Sequence, residues 1–235
     1  MSMFLRILIG ALTVAVVACT PPRPAESEAP PAPAAVERPA PTPSSAPPRI
    51  VFLGDSLTAG LGLARHQAVP SLIQARLDAE GYRYQVVNAG VSGDTSAGGL
   101  SRLDWSLEGD VEVLVLELGA NDGLRGLPVS QMKSNLGEII SRARQRGIAV
   151  VLTGMEAPPN YGAAYTTEFR QAFRDLAREH DVEFVPFFLE GVAGIASLNN
   201  SDGIHPNADG ARIIEQTLWR ALEPLLAATG GEQDR

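Results

Sequence analysis

The sequence predicts an α/β protein: a three-layer α/β/α sandwich around a five-stranded parallel sheet. Two observations predict it. Five short apolar runs recur along the chain, and stretches with helical periodicity fill the gaps between them. The first run, Ile50 to Leu53, is unbroken rather than alternating, which suits a strand buried on both faces of a parallel sheet. Strands that alternate with helices build such a sheet and cover both of its sides.

The first 49 residues stand apart from this pattern. Ile7 to Ala18 is a nearly unbroken apolar run of 12 residues behind a single Arg6. That length suits the core of a secretory signal and falls short of the roughly 20 residues a membrane helix needs. Residues 1–18 are therefore expected to be a signal peptide. Cys19 follows directly and is the chain's one cysteine, so no internal disulfide can form. Val16-Val17-Ala18-Cys19 resembles the lipobox of bacterial lipoproteins, which implies lipidation of Cys19; cleavage after Ala18 alone is the alternative. Residues 20–49 hold 11 of the chain's 18 prolines and cannot bury apolar surface. Residues 19–49 thus read as a lipidated cysteine followed by a disordered Pro/Ala-rich linker. The expected location is the periplasm, anchored to a bacterial cell-envelope membrane.

The folded domain is expected over residues 50–227, with a disordered tail at 228–235. After the first strand, further strands are expected at 84–88, 111–118, 148–154 and 183–187. Helices are expected at 69–80, 97–107, 128–146, 166–180 and 207–227. The net charge of −8 argues against nucleic acid as a partner. Arg142, Arg144 and Arg146 end a helix, where positive charge complements the dipole. No protein partner is implied.

The chemistry starts at Gly54-Asp55-Ser56, directly after the first strand. That is the sheet edge where open α/β folds place ligand sites. A strand running into a Ser-capped helix start would be written the same way. Three later stretches also stand at strand ends or near the C-terminus. They are Asn88-Ala89-Gly90-Val91-Ser92-Gly93-Asp94, Leu118-Gly119-Ala120-Asn121-Asp122 and Asp202-Gly203-Ile204-His205-Pro206.

A serine hydroxyl needs a base to become a nucleophile. The chain has three histidines: His66, His180 and His205. His180 ends an amphipathic helix and His66 lies in a polar loop. His205 has Asp202 three residues upstream in a turn, close enough to orient its imidazole. No Gly-x-Ser-x-Gly occurs, which sets the chain apart from α/β-hydrolases. Asp55 and Asp122 read as polar scaffolding: one shaping the turn around Ser56, the other capping the next segment. No cofactor is expected, and no metal, since His and Cys do not cluster.

The four blocks, in this order, resemble the SGNH/GDSL hydrolase superfamily across residues 49–226. Ser92-Gly93-Asp94-Thr95, the run from Glu117 to Gly126, Pro159-Asn160-Tyr161-Gly162 and the run from Asp202 to Asn207 are similar to the periplasmic arylesterase/acyl-CoA thioesterase/lysophospholipase group. The resemblance implies a flavodoxin-like strand order 2-1-3-4-5. It implies Ser56, Asp202 and His205 as catalytic residues, with the Ser56 N–H, Gly93 and Asn121 as oxyanion donors. Without it, Gly93 and Asn121 also read as ordinary turn residues. It implies acyl esters and thioesters as substrates, bound against apolar walls. The candidate wall residues are Leu124, Leu127, Pro158, Tyr161 and Phe188, with Phe187 readable equally as core. A carbohydrate O-acetylesterase and a non-catalytic surface lipoprotein remain as alternatives.

Overall fold

The computed structural model describes residues 46–230, with side chains described up to residue 226. The expected signal peptide, Cys19, nearly all of the linker and residues 231–235 lie outside the described residues; residues 228–230, expected in a disordered tail, instead continue the last helix.

The chain alternates as expected. β1 (Arg49–Gly54) is followed by the one-turn helix α1 (Ser56–Ala59) and by α2 (Val69–Glu80). β2 (Gln85–Gly90) leads to α3 (Ser96–Ser101) and α4 (Leu103–Ser106). β3 (Val111–Glu117) leads to α5 (Ala120–Leu124) and α6 (Val129–Gln145). β4 (Ala149–Thr153), α7 (Gly162–His180), β5 (Glu183–Val185) and α8 (Ala208–Gly230) complete the domain.

The five strands are all parallel, in the order β2-β1-β3-β4-β5. β1 and β3 are the central pair, and their apolar runs explain it. Ile50 to Leu53 and Val113 to Leu116 are buried throughout, because helices cover both sheet faces. α2 packs on α8, while α6 packs on α3 and α7, giving the two outer layers. This order leaves the loops after every strand along one edge, where the functional blocks meet.

Besides the longer last helix, two helices differ from expectation. The helix expected at 97–107 breaks at Arg102, which leaves helical geometry at φ −108° and ψ 9°. Its guanidinium is drawn to the sheet edge, donating to Gly54 O at 2.9 Å, Ala89 O at 2.7 Å and Asp94 Oδ2 at 2.6 Å. Gly98 and Gly99, weak helix formers, lower the cost of the break. α7 starts at Gly162, four residues before the expected Thr166, because a 3-10 turn at Pro159–Tyr161 feeds into it. α8 starts where expected, with Asn207 Oδ1 accepting from the N–H groups of Asp209 and Gly210 at 3.0 and 3.1 Å.

Candidate active site

Ser56 is the first residue of α1, so its N–H has no partner one turn back. Asp55 caps that helix: its Oδ1 accepts from Leu57 N–H at 3.0 Å. The glycine before it is required by space. A Cβ on Gly54 would lie 2.0 Å from Thr58 Oγ1 and 2.6 Å from Glu117 Oε2. Only glycine lets the strand turn over those two side chains.

The segment 199–206 carries His205. Asn199 anchors it by donating to Val192 O and Ile195 O, each at 2.8 Å. Asp202 Oδ1 accepts the backbone N–H groups of Ile204 and His205, each at 3.0 Å, and so closes a tight turn. The other oxygen, Oδ2, lies 2.8 Å from His205 Nδ1. The two backbone N–H bonds, then the imidazole, hold the Asp202 carboxyl down to about 2. An Nδ1–H donating to that carboxylate leaves Nε2 as an acceptor. Nε2 lies 2.9 Å from Ser56 Oγ, across 149 residues of sequence. The three side chains thus form a continuous line along which the serine proton can pass to the imidazole.

Gly93 and Asn121 stand beside Ser56 in the same cavity. Gly93 sits at φ +85°, a left-handed conformation that favours glycine, and its carbonyl accepts from Arg125 at 2.9 Å. Asn121 Nδ2 donates one hydrogen to Asp55 Oδ2 at 2.9 Å. Its second amide hydrogen remains for a ligand. Asp122 caps a helix from a distance: its oxygens accept from Ser96 N–H at 2.8 Å and Ser96 Oγ at 2.6 Å. It therefore ties the β3 loop to α3 rather than capping the segment next to it.

The cavity measures about 510 Å³, within the range of small-molecule sites. Leu57, Leu61, Leu124, Met155, Pro158, Phe187 and Ile204 give it an apolar wall. Leu124 and Pro158 are thus where the sequence expects them. Three expected wall residues are not. Phe188 is 1% exposed in the core, its N–H bound to Gly154 O at 2.9 Å; the side chain of neighbouring Phe187 faces the cavity instead. Tyr161 lies against Gly126 and donates to Leu124 O at 3.0 Å, so it buttresses the wall from outside. Leu127 also lies outside the wall, with its carbonyl accepting from Tyr165 Oη at 2.8 Å. Gly123 is buried in α5, where a Cβ would meet the Phe169 ring at 3.0 Å.

Sequence reasoning missed the support beneath the site. Arg102 links the end of β1 to the Gly93 loop through Gly54 and Asp94. Glu117 lies under Ser56, its Oε2 accepting from Thr58 Oγ1 at 2.8 Å. The one available signal was a carboxylate directly after the apolar run Val113–Leu116 of β3.

The chain is similar to several known proteins. Residues 52–213 match the model of the GDSL-like Lipase/Acylhydrolase family. Esterase TesA of Pseudomonas aeruginosa is 44% identical over 186 residues, covering 79% of this chain and 92% of that protein. Thioesterase 1/protease 1/lysophospholipase L1 of Escherichia coli is 37% identical over 178 residues, covering 75% of this chain and 84% of that protein. The crystal structure of the psychrotrophic esterase EstA from Pseudoalteromonas, inhibited by monoethylphosphonate, superposes with a TM-score of 0.72 at 34% identity, over 76% of this chain and 98% of that one.

Proposed function

The chain belongs to the GDSL-like Lipase/Acylhydrolase family, and from that premise we propose that it is a serine esterase and thioesterase acting on acyl chains. The observation that carries this is the 2.9 Å contact of Ser56 Oγ with His205 Nε2 at the wall of an apolar cavity. Ser56 Oγ attacks the acyl carbonyl while His205 Nε2 takes its proton. Asp202 holds the tautomer and stabilises the imidazolium. The carbonyl oxygen becomes an oxyanion and accepts from Ser56 N–H, Gly93 N–H and the free Asn121 amide hydrogen. One such donor contributes about 2.7–4 kcal/mol to the transition state. The imidazolium then protonates the departing alcohol or thiol, and the acyl group stays on Ser56. Water, deprotonated by His205, attacks the acyl-enzyme and releases the carboxylic acid.

Aryl esters, acyl-CoA thioesters and lysophospholipids are the substrate classes in this reading. The apolar wall favours them over acetylated carbohydrate, which calls for a short polar site. We also place the enzyme outside the cytoplasm, held at a cell-envelope membrane by lipid on Cys19. The support is the 12-residue apolar run that ends at the chain's single cysteine. The purified protein should hydrolyse butyryl and octanoyl p-nitrophenyl esters and an acyl-CoA, and Ser56→Ala should hydrolyse none of them. Full turnover by the alanine variant would refute the assignment.

A further inference from the structure

Glu117 ends β3 and is fully enclosed at 0% exposure, yet the reaction above does not use it. Its Oε2 accepts from Thr58 Oγ1 at 2.8 Å and from the Asp55 N–H at 3.3 Å. Its Oε1 has no hydrogen-bond partner among the described residues. Both donors belong to the turn that carries Ser56, one residue before it and two residues after it. Asp55 in turn is the acceptor for Asn121. A single buried carboxyl therefore braces the nucleophile from both sides and sits one link from an oxyanion donor.

We propose that Glu117 is a positioning residue for Ser56 and Asn121, acting as a neutral hydrogen-bonding strut and not as a charge. An ionised carboxylate here would leave one charged oxygen with no donor in an enclosed site, which buried charges do not tolerate. A carboxylic acid leaves only an ordinary polar atom unmet. The groups facing it agree. Asp55 is the neighbouring acid, and His205 lies beyond it. Asp55 carries the acceptors for Leu57 N–H and Asn121 Nδ2, so the one negative charge belongs on Asp55. Enclosure, and then the Asp55 charge, push the Glu117 carboxyl well above its ordinary value, in keeping with the geometry.

The inference rests on the reading that Ser56 and Asn121 act on an acyl carbonyl. Turnover by the wild type tests that reading separately. Two variants test the strut. Glu117→Gln keeps the shape and hydrogen bonding without an ionisable group, and should keep kcat within about threefold. Glu117→Ala removes the strut and should lower kcat by about 100-fold, the scale of a small misplacement, with KM little changed. The side-chain amide resonance of Asn121 gives a readout that needs no turnover: it should shift in Glu117→Ala and stay in place in Glu117→Gln. If Glu117→Ala does not fold, Thr58→Val removes the strut's side-chain partner at constant shape, and should reproduce the kcat loss and the resonance shift. A glutamine variant as impaired as the alanine variant would mean that charge is needed. An alanine or valine variant with wild-type kcat and an unmoved Asn121 resonance would mean that no strut is needed. Either result overturns the proposal.

Discussion

The side-chain amide of Asn121 donates to the carboxylate of Asp55 across 2.9 Å, joining the end of β3 to the cap of the nucleophile helix. Asp55 therefore does more than shape its own turn. It fixes which way the Asn121 amide points, and so where its second hydrogen goes. Asp55→Ala should lower kcat by about 10- to 100-fold with little change in KM. Asn121→Ala should cost about 10²- to 10³-fold, the typical loss for one oxyanion donor. Because the two act as one unit, the double variant should be scarcely worse than Asn121→Ala alone. Additive losses in that double-mutant cycle would separate the two residues.

The cavity wall makes a prediction about acyl length. Leu124 lines the cavity and Leu127 does not. Each buried methylene contributes about 0.8 kcal/mol. Where that contact persists in the transition state, kcat/KM rises from acetyl to about octanoyl esters. Leu124→Ala should flatten the rise and leave acetyl turnover nearly unchanged. Leu127→Ala should leave the whole profile as it was. If Leu127→Ala flattens it equally, the boundary of the wall is drawn wrongly.

Two of the shifted carboxyls, Asp202 and Glu117, pull stability in opposite directions with pH. Asp202 is held at about 2, below its ordinary 3.8, so the unfolded chain binds more protons between those values. Its contribution is present above about pH 4 and is lost as pH falls through about 2. Glu117 is raised well above its ordinary 4.5, so here the native state binds more protons. Stability then declines as pH rises above about 4.5. Glu117→Gln removes that decline, so its Tm relative to wild type should climb as pH rises above about 4.5. Asp202→Asn should lose its deficit relative to wild type as pH drops toward 2. A flat Tm difference for Glu117→Gln would place a charged carboxylate at that position.

Membrane attachment is tested by the mature N-terminus. The protein made in a Gram-negative host should lack residues 1–18 and carry acyl mass on Cys19. Cys19→Ser should move it to the soluble fraction. Intact mass showing an unmodified Cys19, or retention of residues 1–18, contradicts the anchor.

How much of this was legible in sequence depended on how locally each feature is written. The strands were legible because Ile50–Leu53 and Val113–Leu116 are apolar on both faces. Asp202 and His205 were legible because an i, i+3 pair in one turn makes its own contact. The four blocks stood out because a parallel sheet gathers its strand ends along one edge. Glu117 and Arg102 were not, because their partners lie up to 62 and 48 residues away and only the register of β1, β2 and β3 brings them together. The choice between Phe187 and Phe188 turned on side-chain parity past the end of β5, where the alternation of a strand no longer applies. The break at Arg102 likewise answered to tertiary acceptors and not to local propensity.

In the proposed reaction Ser56 is the nucleophile and His205 its base. The most direct test is to treat the protein with an alkyl phosphonate ester probe and map the adduct by peptide mass spectrometry. One adduct per chain, on Ser56, should form in step with the loss of esterase activity. Its rate should fall by orders of magnitude in His205→Ala, and no adduct should form in Ser56→Ala. An adduct on any other residue that accompanies inactivation, or an undiminished rate in His205→Ala, would contradict the account.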